Sequence, residues 1–275
     1  MYPAKLSQIM MFACLVIGFV VVSPAIAVDQ PAATSGKGVH SFEVGPEISW
    51  IKYTEPKLMH NDGIMYGVTG SYIYRGPFFI GPREADSWMF RADGRTSWGK
   101  VDYDGALMDG TPYTIDSIDD YTYEFRGLIG YGVQNKIART TPYLGLGYRY
   151  LNDDSSFDPA GYERESNYLY LPLGFDIYFF SESEWSFSSI VEFDILLWGK
   201  QKSRLGSPYG TIENDQNSGT GFRASIRFQK DGDKADFAVE PFVRWWRIND
   251  SEVSDGFIEP ENSSIEVGLR ALWQF

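Results

Sequence analysis

The chain has 275 residues, 43% hydrophobic and 22% charged, with a mean hydropathy of −0.26, which is too polar for a bundle of membrane helices. Aromatic residues reach 16% and glycines number 28, a composition typical of all-β chains. A net charge of −13 and a pI of about 4.6 argue against the basic footprint of a nucleic-acid binder.

Residues 1–27 read as a secretory signal peptide. Lys5 precedes an uncharged run over 10–22, and Ser23-Pro24-Ala25-Ile26-Ala27 supplies an A-x-A cleavage pattern. A transmembrane anchor is the competing reading, but the run is short and ends at Pro24. Cleavage after Ala27 removes Cys14, the single cysteine, so the mature chain is expected to lack disulfides, thiol nucleophiles and thiolate metal sites. Cys14 sits inside the apolar run rather than after it, unlike a lipoprotein box. Residues 28–40 are polar and predict an N-terminal tether; residues 41–275 form the folded unit.

From Ser41 onward the hydrophobic period is two. Leu169, Leu171, Leu173, Phe175, Ile177 and Phe179 share one face; Tyr168, Tyr170, Pro172, Gly174, Asp176 and Tyr178 share the other. Ten strands are predicted at 41–53, 63–75, 86–100, 119–133, 140–151, 166–180, 184–199, 218–230, 235–248 and 262–275. Alternation alone also suits a soluble sandwich, so the connections decide. On the terminus side 134–139, 181–183 and 231–234 are short, and 76–85 is longer. On the opposite side 54–62, 101–118, 152–165, 200–217 and 249–261 are long and polar. An even strand count with this asymmetry predicts a transmembrane antiparallel up-and-down β-barrel.

Aromatic residues gather at strand ends as two girdles. Trp50, Tyr53, Trp98, Tyr121, Tyr150, Trp198 and Trp245 fall at the outer end; Phe42, Tyr72, Tyr74, Trp88, Tyr131, Tyr143, Phe179, Trp185, Trp273 and Phe275 fall at the inner end. Pro46, Pro172 and Pro241 lie inside strands, remove ladder donors and are expected at bulges. The last ten residues, Glu266-Val267-Gly268-Leu269-Arg270-Ala271-Leu272-Trp273-Gln274-Phe275, resemble the terminal strand of outer-membrane barrels. The resemblance implies recognition by the barrel-assembly machinery through Phe275. It also implies residence in a Gram-negative outer membrane, in contact with lipid and lipopolysaccharide.

The polar parity defines the inward face. Its acids are Glu43, Glu47, Asp93, Glu124, Asp176, Glu192, Asp194, Glu240 and Glu266. Its bases are Arg91, Arg95, Arg126, Arg149, Arg223, Arg227, Arg244 and Arg270, with no lysine among them. Arginine pairs carboxylates bidentately, which suits packed networks. A small barrel has an interior that side chains can fill, so a charge-paired, largely plugged lumen is expected, with Arg91, Arg95, Asp93, Glu124 and Arg126 as neighbours on adjacent strands. A gate or narrow ion path is the competing reading.

Catalytic constellations are sparse. The mature histidines are His40, in the tether, and His60, in the first outer loop, which makes a His- or Cys-built metal site improbable. No cofactor motif is present; Gly145-Leu146-Gly147 lies in a strand and is no phosphate loop. Asp102-Tyr103-Asp104 resembles the Asp-x-Asp of the omptin family, ten-stranded outer-membrane proteases. The resemblance implies a partner Asp-x-His, the acid–base pair activating a water. The corresponding loop, 200–217, has no histidine, and Glu213-Asn214-Asp215 is its nearest acidic set. Asp102, Asp104 and His60 are therefore the catalytic candidates only if the first loop folds across the rim; an ordinary acidic loop is the alternative.

The outer loops are acidic, with Asp102, Asp104, Asp109, Asp116, Asp119 and Asp120 in one, Asp153, Asp154, Asp158, Glu163 and Glu165 in the next, and Asp250, Glu252, Asp255, Glu259 and Glu261 in the last. Hydration explains them; divalent cations bridging them to lipopolysaccharide phosphates are the sharper reading. A structural or surface-interacting barrel is expected. An omptin-like or lipid-modifying enzyme and a narrow channel are the alternatives.

Overall fold

A computed structural model describes residues 38–76, 87–107, 109–254 and 256–275. The expected signal peptide, most of the tether and nearly all of the connection 76–85 lie outside the described residues.

The strands are β1 (Val39–Glu55), β2 (Met59–Gly76), β3 (Ser87–Ala106), β4 (Pro112–Gln134), β5 (Ala138–Asp154), β6 (Glu163–Phe179), β7 (Trp185–Gly206), β8 (Gly210–Asp215), β9 (Gly219–Lys230), β10 (Asp236–Ile248) and β11 (Asn262–Gln274). Sequence neighbours pair antiparallel except β8 and β9, β9 pairing instead with β7, and β1 pairs with β11, which closes the sheet on itself. The six-residue β8 pairs only with the outer part of β7 and continues into β9. The wall is thus a ring of ten strands.

The two faces are inverted relative to a soluble protein. Phe42, Val44, Ile48 and Trp50 of β1 are exposed, while Glu43, Glu47 and Ser49 between them are buried. The same alternation puts Phe125, Leu144, Leu146, Phe175, Phe193, Val267 and Leu269 outside. An apolar belt around a polar interior is stable only when hydrocarbon replaces water on the outside.

Several expectations are corrected. β1 begins at Val39, so His40 belongs to the wall, its Nδ1 2.7 Å from the Tyr72 hydroxyl. The expected loops 54–62, 101–118 and 200–217 are mostly strand, with β1 and β2 joined by a turn at 56–58, β7 and β8 by one at 207–209, and β3 reaching Ala106 before β4 begins at Pro112. Their backbone groups continue the ladder past the expected strand ends, with the cross-strand ion pair Lys100–Asp119 at the base of one extension and Lys200–Glu213 within another, each 2.7 Å.

The prolines do not mark bulges. At Pro46, Pro172 and Pro241 the ladder is interrupted for two residues toward one neighbour only, and the register is the same on both sides of the gap. Toward the other neighbour each proline is itself paired, Pro46 with Val68, Pro172 with Asp194 and Pro241 with Leu269, although the β6–β7 pairing shifts register two residues before Pro172. A strand residue offers its N–H to one side, so losing it costs one ladder bond and no shift. The bulges lie instead between Val101 and Tyr103, between Leu169 and Tyr170, and between Arg204 and Gly206.

Inside, polar side chains share space with apolar ones. Ile73, Met89, Leu128 and Tyr143 form a floor near the terminus side, joined by Ile190. Higher up, Ile51, Met65, Val101, Ile115 and Ile118 pack on one side and Tyr168, Tyr170, Leu196, Trp246 and Ile248 on the other. Gly147 makes room for Tyr170: a Cβ there would come within 2.1 Å of the ring.

Candidate functional site

The inward parity brings the charged residues into a layer across the lumen. Arg95 donates from Nε to Glu47 at 2.8 Å and grips Glu266 at 2.5 and 3.0 Å. Arg244 faces the same two carboxylates at 3.5 and 3.1 Å, and Ser49 donates to Glu266 at 2.8 Å. Beside this knot, Arg223 meets Glu124 at 2.6 Å, Asp194 at 2.8 Å and Glu192 at 2.9 Å. Tyr170 donates to Glu124 and Tyr143 to Glu192, each at 2.7 Å. Arg126 bridges Glu192 and Asp93 at 2.7 and 2.6 Å, and Arg91 reaches Asp93 at 2.6 Å.

Nearer the terminus side Arg227 pairs with Glu43 at 2.7 Å and Arg270 with Glu240 at 3.5 Å. Arg75 pairs with Asp176 at 2.7 Å. Arg149 makes no such pair among the described residues; its guanidinium lies 5.8 Å from the Trp246 ring. The open space in the central layer is about 40 Å³, room for only a few ordered waters.

One expected set of partners is redrawn. Arg95 stands opposite Glu124 in the β3–β4 register, yet it bonds Glu47 and Glu266 while Glu124 bonds Arg223. The lumen is narrow enough for an arginine to cross it, and bidentate geometry is better across than along the wall. Two girdle assignments also change: Tyr143 is buried on Glu192, and Tyr53 lies inside under Arg164, 4.9 Å from its guanidinium.

The outer mouth holds a second cluster that periodicity did not assign. Arg164 bonds Glu55 at 2.5 Å and lies 3.8 Å from Glu259. Gln201 donates to Glu259 at 2.8 Å and Asn61 to Asp153 at 2.6 Å. Asp153 and Glu259 are thus not hydrated loop acids; they turn inward. Burial pushes the Glu259 carboxyl up to about 7, with Glu55 adding to the rise and Arg164 opposing it. Arg75, Arg139 and Arg164 escaped the sequence reading because each sits at or just beyond an expected strand end. Extending the same parity outward from Ile73, Thr141 and Tyr168 finds all three.

The catalytic candidates lie on the opposite surface. His60 stands opposite Asp104, and Asp62 opposite Asp102, on the outer face of β2 and β3. The His60 Nε2 is 3.8 Å from Asp62. Asp102 accepts the Ser117 N–H at 2.8 Å, where Ser117 has a φ of 62° at the β3–β4 bulge. That carboxylate holds a backbone irregularity. The three candidates share a wall, but the wall faces away from the lumen. Among the described residues no three His, Cys, Asp or Glu side chains are grouped to hold a metal.

No protein-family model matches the chain, and no curated protein matches it. Among solved structures, the outer membrane protease OmpT from Escherichia coli is similar, with a TM-score of 0.54 at 14% identity over 88% of this chain and 98% of that one. The translocator domain of the autotransporter NalP from Neisseria meningitidis gives 0.40 at 12% identity, covering 96% and 94%. The toluene transporter TodX from Pseudomonas putida gives 0.35 at 8% identity, covering 86% and 89%. The likeness to OmpT concerns the fold, which is that of an outer-membrane β-barrel.

Proposed function

We propose that this protein is a sealed barrel of the bacterial outer membrane, with a structural or surface-interacting role exercised at its acidic outer rim. The observation that carries the reading is the layer of paired charges crossing the lumen, with only about 40 Å³ left open. The apolar outer belt supports the membrane setting, and the terminal Phe275 supports delivery by the barrel-assembly machinery. Acidic residues toward the outer rim, such as Asp109, Asp116 and Asp250, suit contact with lipopolysaccharide through divalent cations. The test is planar-bilayer recording on the refolded mature chain. Little or no steady conductance is expected; a large, stable, ohmic conductance overturns the sealed lumen and favours a channel.

The fold shared with a protease makes a second measurement worthwhile. Peptide hydrolysis needs an acid–base pair around one water, whereas His60 and Asp104 face outward and Asp102 is engaged by Ser117. Purified protein supplied with lipopolysaccharide is expected to leave a dibasic peptide intact. Cleavage lost in Asp102→Ala or His60→Ala would reverse this reading.

A further inference from the structure

The lumen below the charged layer is not filled. A cavity of about 330 Å³ reaches from Ile73 and Ile190 down to Asp231 at the β9–β10 turn. It therefore opens on the terminus side, and the ion-pair layer closes it above.

Two guanidiniums face a single carboxylate, Asp176 of β6: Arg139 from the adjoining β5 and Arg75 from β2 across the lumen. Arg75 is committed: Nη2 meets Asp176 at 2.7 Å and Nη1 donates to Thr141 at 3.3 Å. Arg139 is not. Among the described residues it has no carboxylate oxygen within the 4.0 Å of an ion pair, and its Nε is buried without an acceptor. Its guanidinium rests 5.3 Å from the centre of the Tyr178 ring. Gly132 leaves the arginine stem uncrowded, since a Cβ there would lie 3.1 Å from Thr141 Oγ1 and 3.3 Å from the Arg139 Cδ. A buried N–H without an acceptor is costly, and the guanidinium fork that carries it matches a carboxylate.

The geometry points to a binding site for a small organic monocarboxylate, entering from the terminus side, with Arg139 taking the carboxylate. Arg75, Arg139 and Asp176 together leave one positive charge facing the cavity at this level, which matches a monoanion. Asp231 and Asp236 on the far side of the cavity disfavour a dianion such as phosphate. Ile73 and Ile190, part of the apolar floor, offer a surface to a hydrocarbon body. Ser188 and Ser189 line the same space. The site rests on the sealed-lumen reading only in being blind; binding and conductance are measured separately and fail separately.

The test titrates butyrate, acetate and inorganic phosphate, at constant ionic strength and about pH 8.5, where phosphate is the dianion and arginine keeps its charge, into the full mature chain refolded in detergent micelles free of lipopolysaccharide. Calorimetry should show saturable butyrate binding, weaker acetate binding and no phosphate binding. Arg139→Gln should weaken butyrate by about ten-fold or more, the loss of one charge-assisted bidentate pair. Arg75→Gln should weaken it too, because Asp176 is then free to neutralise Arg139; this variant carries the test if Arg139→Gln does not refold. Arg204→Gln, at the outer rim, should bind as the parent does. No saturable butyrate binding, unchanged affinity in Arg139→Gln, or a preference for phosphate would each overturn the proposal.

Discussion

Replacing Arg95 with alanine is expected to destabilise the barrel by about 3–5 kcal/mol, the range for breaking a buried pair by removing one partner. Arg95 supplies hydrogen bonds to both Glu47 and Glu266. Without it those two buried carboxylates share Arg244, which lies 3.5 Å from Glu47. Glu47 Oε2 already lacks a hydrogen-bond donor. One negative charge is left uncompensated in a layer with little room for water. Lys52→Ala, near the outer end of the same β1 and on its lipid-facing parity, should change stability by no more than about 0.5 kcal/mol. Equilibrium unfolding in urea from lipid vesicles measures both, and equal effects would mean that the lumen charges are solvated rather than packed.

The second large effect is on pH dependence at the outer mouth. The connection 249–261 turns inward at Glu259, which Gln201 reaches from β7 and which Arg164 of β6 and Glu55 of β1 also face. Its carboxyl is raised from 4.5 to about 7. Below 4.5 the group is protonated both folded and unfolded, and burial carries no charge penalty. Between 4.5 and about 7 the folded state alone keeps the proton, so stability falls as pH rises through this window. Above about 7 the penalty is complete, on the order of 3 kcal/mol at about 1.4 kcal/mol per pKa unit.

Glu259→Gln should therefore tighten this connection at pH above the window and have little effect below it. Amide hydrogen exchange across 249–261 at the two extremes reads the difference. A variant whose exchange stays as pH-dependent as the parent's would show that another group controls the mouth.

Much of the barrel could be read from the chain because side-chain direction in a strand is a local property. The alternation of Glu43, Glu47 and Ser49 with Phe42, Val44 and Ile48 assigns inside and outside without knowledge of any neighbour. Runs of that alternation, repeated ten times with short turns at one end, leave a closed membrane barrel as the stable arrangement. For the same reason the inward acids and arginines could be named residue by residue.

What lay beyond the chain's own pattern depends on how strands meet. Arg95 chooses Glu266 over its register neighbour Glu124 because closure brings β11 within reach across a narrow lumen. Whether Asp102 and His60 look into the barrel or away from it turns on parity carried past the expected strand ends, where charge and loop-like composition masked a continuing ladder. Pro46, Pro172 and Pro241 break no register because each strand has two neighbours and the missing donor faces only one. Arg139 stands without a carboxylate partner for a reason no local pattern contains: Asp176, the nearest acid on the adjoining strand, is held by Arg75 from across the lumen. The alternating chain determined which side chains enter the lumen; the curvature, register and closure of the sheet decided which of them meet and which is left with a charge to share.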